Sequence, residues 1–408
     1  MTEPASLLLP EQTRLVHIGP PKTGSTALQV AMDANRTEMA QHGVHYAGEG
    51  LRPKNAGWVV LGIGPSVGQA QPSPAAWDDL VQEVEQAGNQ RVCISNEDFA
   101  KATDDKAVRI VDELGGDRVR VVAIARRLDR LLPSWWQERV KARLTLTFDA
   151  WLELVLGPES PAYEWRNFWI SQDIEKLVDR WTRRNGPDSF TVVVSDDTDQ
   201  TLIPRTFEQM LGLPEGLIDT SNGPTNRSLS MLEAELVRRV NKMFIANKWD
   251  NDHYLNMVQS GIVPSLRAQG RVAGDRALPP LPPWAVERVA EISDRMIGQI
   301  SASGVRVVGE LEALRTPVPV ESADLTEASS DIGLELAVRA VDGVVRGSLR
   351  LARNKELSRS RAAKERKRTA RELAQTPGGR RVRDATSADL LQVVARRVSR
   401  RVRNIARR

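Results

Sequence analysis

The chain has 408 residues, 41% hydrophobic and 27% charged, enough for one large α/β domain plus an appendage, and it holds no apolar run of about 18 residues that could span a bilayer. Its single cysteine, Cys93, excludes an internal disulfide, and the opening MTEPASLLLPEQ lacks the basic and apolar regions of a secretory signal, so the expectation is a cytoplasmic protein. The formal charge of +4 conceals a division: from Arg346 onward there are 21 basic and 5 acidic residues, and before it 36 and 48, so an acidic body carries a strongly basic tail.

In chain order, residues 1–12 are expected to be a flexible leader. LVHIG, from Leu15, reads as a buried strand feeding the loop GPPKTGST and then a helix from about Ser25 to His42, stopped at Gly43. RVCISNED from Arg91, VRVVAIARR from Val119 and FTVVVSDD from Phe190 read as three further strands, rich in valine and isoleucine. Between them LLPSWWQERVKARLTLTFDAWLELVL reads as helices with aromatic packing, and TFEQMLGLPEGL as a helix closed at Gly212. The alternation of strand and helix predicts an α/β fold, three-layered around a central parallel sheet.

Further on, Ser228 or Ser230 can cap a helix whose stripe is Leu232, Leu236, Val240 and Phe244, with Glu233 three residues after Ser230. A proline cluster at Ala277 to Trp284 precedes a last domain helix, AVERVAEISDRMIGQI, and the domain edge is placed near Pro317 to Pro319. That gives a domain over 13–318 and a basic, helical or partly disordered tail over 319–408. At its end Leu391, Val394, Val398, Val402 and Ile405 share one face of a helix with Ser387 as cap and arginines elsewhere. A basic amphipathic helix suits an acidic partner or an anionic membrane surface, which would make the protein peripheral to the inner face of the membrane; nucleic acid is not the expected partner.

Unpaired N–H groups at a helix start, aided by the helix dipole, attract anions, so a strand, a glycine turn with a lysine and hydroxyls, and a helix together form an anion cradle. Gly19 and Gly24 have the separation of the nucleotide motif G-x-x-x-x-G-K-[ST], but Ser25 follows Gly24 and Lys22 lies two residues before it. An ATPase or GTPase loop fails at its most diagnostic residue.

PPKTGST closely resembles instead the 5′-phosphosulfate loop of the PAPS-dependent sulfotransferases, P-K-[TS]-G-[TS]-[TS] after the first strand. IARRLDRLLPSWW is similar to the second element of that family, an arginine at a strand end and a serine eight residues on, here Arg126 and Ser134. Arg127 and Leu128 depart from its usual Asn/Asp-Pro. HGVHY, FEQMLGLP and TNRSLS are weaker echoes. The resemblance spans roughly residues 13 to 300 and implies the P-loop NTPase-like sulfotransferase fold of the bacterial type, with PAPS as co-substrate and no metal.

The resemblance implies that Lys22, Thr23, Gly24, Ser25 and Thr26 hold the 5′-phosphosulfate, Lys22 also acting in catalysis. It further implies that Arg126 and Ser134 hold the 3′-phosphate, with Arg227 and Ser228 as further contacts to that phosphate or the adenine. Proton removal from the acceptor, a hydroxyl or an amine, falls in this family to a His or a Glu. Glu97, at the end of a strand whose edge faces the site, is the candidate here, though it suits equally the first turn of a helix capped by Asn96.

His17, inside the first strand, is expected to be a packed side chain, and His42 and His45 lack the further ligands of a metal site. Cys93 is expected to be structural. Of ten tryptophans, Trp135, Trp136, Trp151, Trp165, Trp169 and Trp181 cluster; core packing is the first reading, stacking on a carbohydrate or glycolipid acceptor the second. The alternative function class is a non-catalytic nucleotide-binding or membrane-associated scaffold of this fold, and a P-loop kinase is a further one.

Overall fold

The four apolar runs become the inner strands of a six-stranded sheet in a computed structural model that describes residues 6–65, 71–221, 227–268, 270, 281–315, 333–374 and 395. The strands are β1 Arg14–His17, β2 Val44–Tyr46, β3 Arg91–Ser95, β4 Val119–Ala125, β5 Phe190–Val194 and β6 Arg306–Val308. All are parallel, in the order β2-β3-β1-β4-β5-β6. Because successive side chains of a strand point to opposite faces, each run feeds two cores.

On one face Leu15, Cys93, Val122, Ile124 and Val193 pack with α1 (Ser25–Ala34) and α2 (Leu202–Leu211), through Leu28, Met32, Phe207 and Met210. On the other, Val16, Val92, Ile94, Val121, Ala123 and Val192 meet a larger helical layer. That layer includes α3 (Leu128–Lys141), α4 (Phe148–Leu156), α5 (Tyr163–Gln172), α6 (Ile174–Thr182), α7 (Met231–Ala246) and α8 (Pro283–Ala302). Helix, sheet and helix make three layers, as the alternation predicts.

The clustered tryptophans are core. Trp136, Trp151 and Trp181 are almost fully buried, and Phe168 meets Trp135 and Trp151 edge-on at 5.5 and 5.9 Å. Burying each such ring stabilises the fold by roughly 1.5–3 kcal/mol. Of the six named tryptophans only Trp135 lines the cavity described below, so the cluster as a whole is not a sugar platform.

Several boundaries differ from expectation. The helix read as running from Ser25 to His42 is broken at Asn35, whose φ is −107°; its amide nitrogen donates to Ala31 O and Leu217 O, and a separate short helix follows at Arg36–Gln41. β2 and β6, three residues each, are too short to show a period of two. The flexible leader does not extend through residue 12, because Leu9 is buried, donates its N–H to Met210 O at 3.0 Å and accepts from Arg91 Nε at 2.8 Å. The cap of α7 is Ser230, in a reciprocal box with Glu233, and not Ser228.

The chain divides into two compact units, Met1–Val344 and Val345–Arg408. The expected edge at 317–319 lies outside the described residues, and the first unit continues beyond it into a long helix, α9 (Leu334–Ala374). Within that unit Leu336 and Ala340 are buried, and Gly343 lies so close to the π-helical segment Tyr254–Ile262 that a Cβ there would come within 2.5 Å of Ile262 Cα. In the second unit α9 continues to Ala374, with Val345 and Leu349 exposed. Of the terminal helix read over Leu391 to Ile405, with its cap Ser387, only residue 395 is among the described residues. Among the described residues no helix is long and apolar enough to cross a membrane.

Candidate active site

β1 ends at His17 and the chain must turn tightly to start α1. Gly19, at φ +87°, passes so close to the turn after β3 that a Cβ would stand 2.9 Å from Glu97 Cβ; only glycine fits there. Lys22 and Gly24 are also left-handed, at φ +73° and +99°, and Gly24 opens α1 without a side-chain cap. The first-turn N–H donors of the helix are thus presented to an anion.

Side chains brace this loop from three directions. Thr23 Oγ1 donates to Pro20 O at 2.7 Å, Gln172 Nε2 to Pro21 O at 2.9 Å and Arg126 Nη1 to Lys22 O at 3.0 Å. Thr23 is buried, and its hydroxyl braces the loop. Ser25 Oγ and Arg126 Nε are buried without a hydrogen-bond partner among the described residues. Both residues line the cavity, so an anion there would meet them as donors.

Arg126 reaches a loop about a hundred residues earlier because β4 lies directly beside β1, His17 in register with Val122. The chain fills the sheet on one side of β1 with β3 and β2, then crosses to β4 on the other. That reversal leaves a crevice at the carboxyl ends of the strands, the place where ligands bind in open parallel sheets. A cavity of about 820 Å³ occupies it. Lys22, Gly24, Ser25 and Thr26 line it from the loop, Glu97 from the turn after β3, Arg126 and Ser134 from the end of β4 and from α3, and Arg227 and Ser228 from the segment before α7.

α3 adds two residues that sequence reasoning missed. Ser134, Glu138 and Lys141 recur at i, i+4 and i+7 on one stripe of that helix and all line the cavity. Lys22 Nζ lies 2.8 Å from Glu138 Oε1, and Lys141 Nζ bonds the same oxygen. Burial works to raise the Glu138 carboxyl, but Lys22 and Lys141 outweigh it and hold it below the ordinary carboxylate range. Lys141 is backed in turn by Tyr254 Oη and Gln259 Nε2, which donate to its carbonyl at 3.2 and 2.9 Å.

Glu97 opens a 3-10 turn, Glu97–Lys101, that the Asn96 side chain caps by accepting from the Asp98 N–H, so it both begins a helical turn and faces the cavity. Burial raises its carboxyl above the usual range, against the opposing charge of Arg52. Arg52 is a third missed residue: it donates to Asn96 Oδ1 and Asp98 Oδ2, both at 2.8 Å, and stands 3.6 Å from Glu97 Oε1.

Arg227 lines the cavity while its guanidinium forks onto Glu233 with two bonds of 2.7 Å. His17 is packed, as expected: fully buried, Nδ1 2.8 Å from Ser95 Oγ, its imidazole pushed down to about 3 by burial. His45 pairs with Glu83 at 2.8 Å and His42 is exposed. Burial pushes the Cys93 thiol up to about 12, the state of an inert core thiol. No cluster of three potential metal ligands occurs among the described residues.

No family model and no curated protein matches the chain. Among solved structures it is similar to a sulfotransferase from Alicyclobacillus acidocaldarius, over 59% of this chain and 98% of that one, at 17% identity and a TM-score of 0.36. At that level of overlap the functional reading rests on the residues of the cavity.

Proposed function

We propose that the chain is a sulfotransferase that moves a sulfuryl group from PAPS to a hydroxyl or amine acceptor. One observation carries this reading. Lys22, Gly24, Ser25 and Thr26 of the loop and the pair Arg126 and Ser134, about a hundred residues apart in sequence, line one cavity, and each group contributes one buried donor, Ser25 Oγ and Arg126 Nε, without a hydrogen-bond partner among the described residues. PAPS has two anionic ends, a 5′-phosphosulfate and a 3′-phosphate, and the cavity offers two anchors of matching chemistry. When bound, PAPS supplies an activated sulfuryl group on a phosphate leaving group.

The residues then divide the work. The N–H groups of Gly24, Ser25 and Thr26 orient the 5′ end, and Lys22 neutralises the charge that develops on the leaving oxygen. Arg126, fixed by its bond to Lys22 O, holds the 3′-phosphate with Ser134, and Arg227 and Ser228 close on the nucleotide from the facing segment. Glu97, its carboxyl raised by burial, takes the acceptor proton.

The test is calorimetry with PAPS and 3′,5′-ADP, followed by transfer of labelled sulfate into an acceptor pool of small metabolites and glycolipids. Both nucleotides are expected to bind, and Lys22→Ala to lower transfer by about 10²- to 10³-fold. Binding without transfer to any acceptor favours a scaffold of this fold. Binding of magnesium ATP in place of PAPS favours a kinase and overturns the proposal.

A further inference from the structure

Lys22 has a braced backbone and a side chain that spans the cavity wall. Its φ is +73°, its carbonyl accepts from Arg126, and the Pro21 carbonyl before it accepts from Gln172, so the loop around it is held from two sides. Its four-carbon side chain nevertheless reaches the stripe on α3 and ends on Glu138, 2.8 Å away, with both side chains partly open to the cavity at 30% and 41% exposure. A donor's leaving oxygen would compete with that carboxylate for the ammonium.

We propose that Glu138 is a positioning residue for Lys22, holding its ammonium against α3 in the donor-free protein and releasing it when the donor's phosphosulfate enters. This deepens the sulfotransferase reading and rests on it. Two features make the exchange feasible. Lys141 bonds the same Glu138 oxygen, so the carboxylate keeps a countercharge after Lys22 leaves, and Tyr254 and Gln259 hold Lys141 by its carbonyl. Both members of the pair face solvent in part, so the pair is weak enough to be displaced.

A ground-state contact that must be broken on binding lowers the apparent affinity for the ligand that breaks it. Glu138 therefore sets donor affinity through Lys22, and not merely by repelling an anion. The two effects separate in a double-mutant cycle.

The experiment measures PAPS dissociation constants by calorimetry at one fixed ionic strength for the wild type, Glu138→Gln, Lys22→Ala and the double variant. A thermal scan of each protein confirms folding, and Glu138→Ala replaces the glutamine variant if that one unfolds. Glu138→Gln is expected to bind PAPS about two- to five-fold more tightly than wild type, and the gain to vanish when Lys22 is already alanine. A gain that persists in the Lys22→Ala background shows direct repulsion and overturns the inference, as does a Glu138→Gln variant that binds PAPS equally or more weakly. A wild type that binds neither PAPS nor 3′,5′-ADP overturns the sulfotransferase reading itself, a distinct outcome.

Discussion

Glu138 and Glu97 line the same cavity and both feel the charge of Lys22, yet burial loses at the first and wins at the second. Glu138 has two lysines on one oxygen. Glu97 shares its nearest cation, Arg52, with Asp98, which takes the shorter contact of 2.8 Å and adds a repelling charge of its own. One carboxylate is pinned in its ionised form while the other is poised to gain a proton. Residue type does not assign the role; the neighbours do.

Removing the poised member is the sharpest way to break that contrast. Glu97→Gln is expected to lower labelled-sulfate transfer by about 10²- to 10⁴-fold and to erase the acidic limb of the pH profile of kcat/KM. Next in size is Gly19→Ala, which places a methyl group against Glu97 at a left-handed position; chemical denaturation is expected to show a loss of about 1–3 kcal/mol. A finer effect comes from Arg52. Its charge opposes the upward shift at Glu97, so Arg52→Gln is expected to move the acidic limb to higher pH, and Arg52→Lys to leave it near wild type. The groups facing Glu97 that remain are Lys22, Asp98 and Lys101.

The smallest expected effect has opposite signs at the two carboxylates. Glu97, raised in the folded protein, is a liability at neutral pH, because stability linked to a raised group is present below its unfolded pKa and is lost as pH rises through the folded value. Glu138, depressed, contributes above its unfolded pKa and loses that contribution as pH falls through the folded value. In thermal scans at pH 7 Glu97→Gln is expected to raise the midpoint and Glu138→Gln to lower it by about 1–2 °C after solvent screening. Both differences are expected to shrink as pH is lowered through the carboxylate range.

The poised side of this contrast was open to the sequence and the pinned side was not. Glu97 stands just past the end of a short buried strand, and the anion loop is contiguous, so both announce themselves locally. Arg126 and Ser134 form a second local pattern, although only the adjacency of β1 and β4 explains why they line one cavity with Lys22. Glu138 acquires its role from the packing of α3 beside the loop, a contact between residues 116 positions apart. The signal that could have found it is the stripe Ser134, Glu138 and Lys141 at i, i+4 and i+7 of one helix. Arg52 lies on a connection between β2 and the following helix with no periodicity to read. In the fold, β1, β3, β4 and β5 are inner strands carrying the apolar runs, whereas β2 and β6, three residues each, form the two edges.

The backbone contact between Gly343 and the segment at Ile262 bears on how the protein can be shortened. A chain cut at 318, where composition changes, would lose Leu336, Ala340 and Gly343 and so bare the segment whose Tyr254 and Gln259 hold the end of α3. A chain cut after 344 keeps that cover while discarding the 21 basic residues of the tail from Arg346 onward. The change in amino-acid usage and the limit of the folded body are two different addresses, and a truncation designed on the first would remove a wall that the second requires.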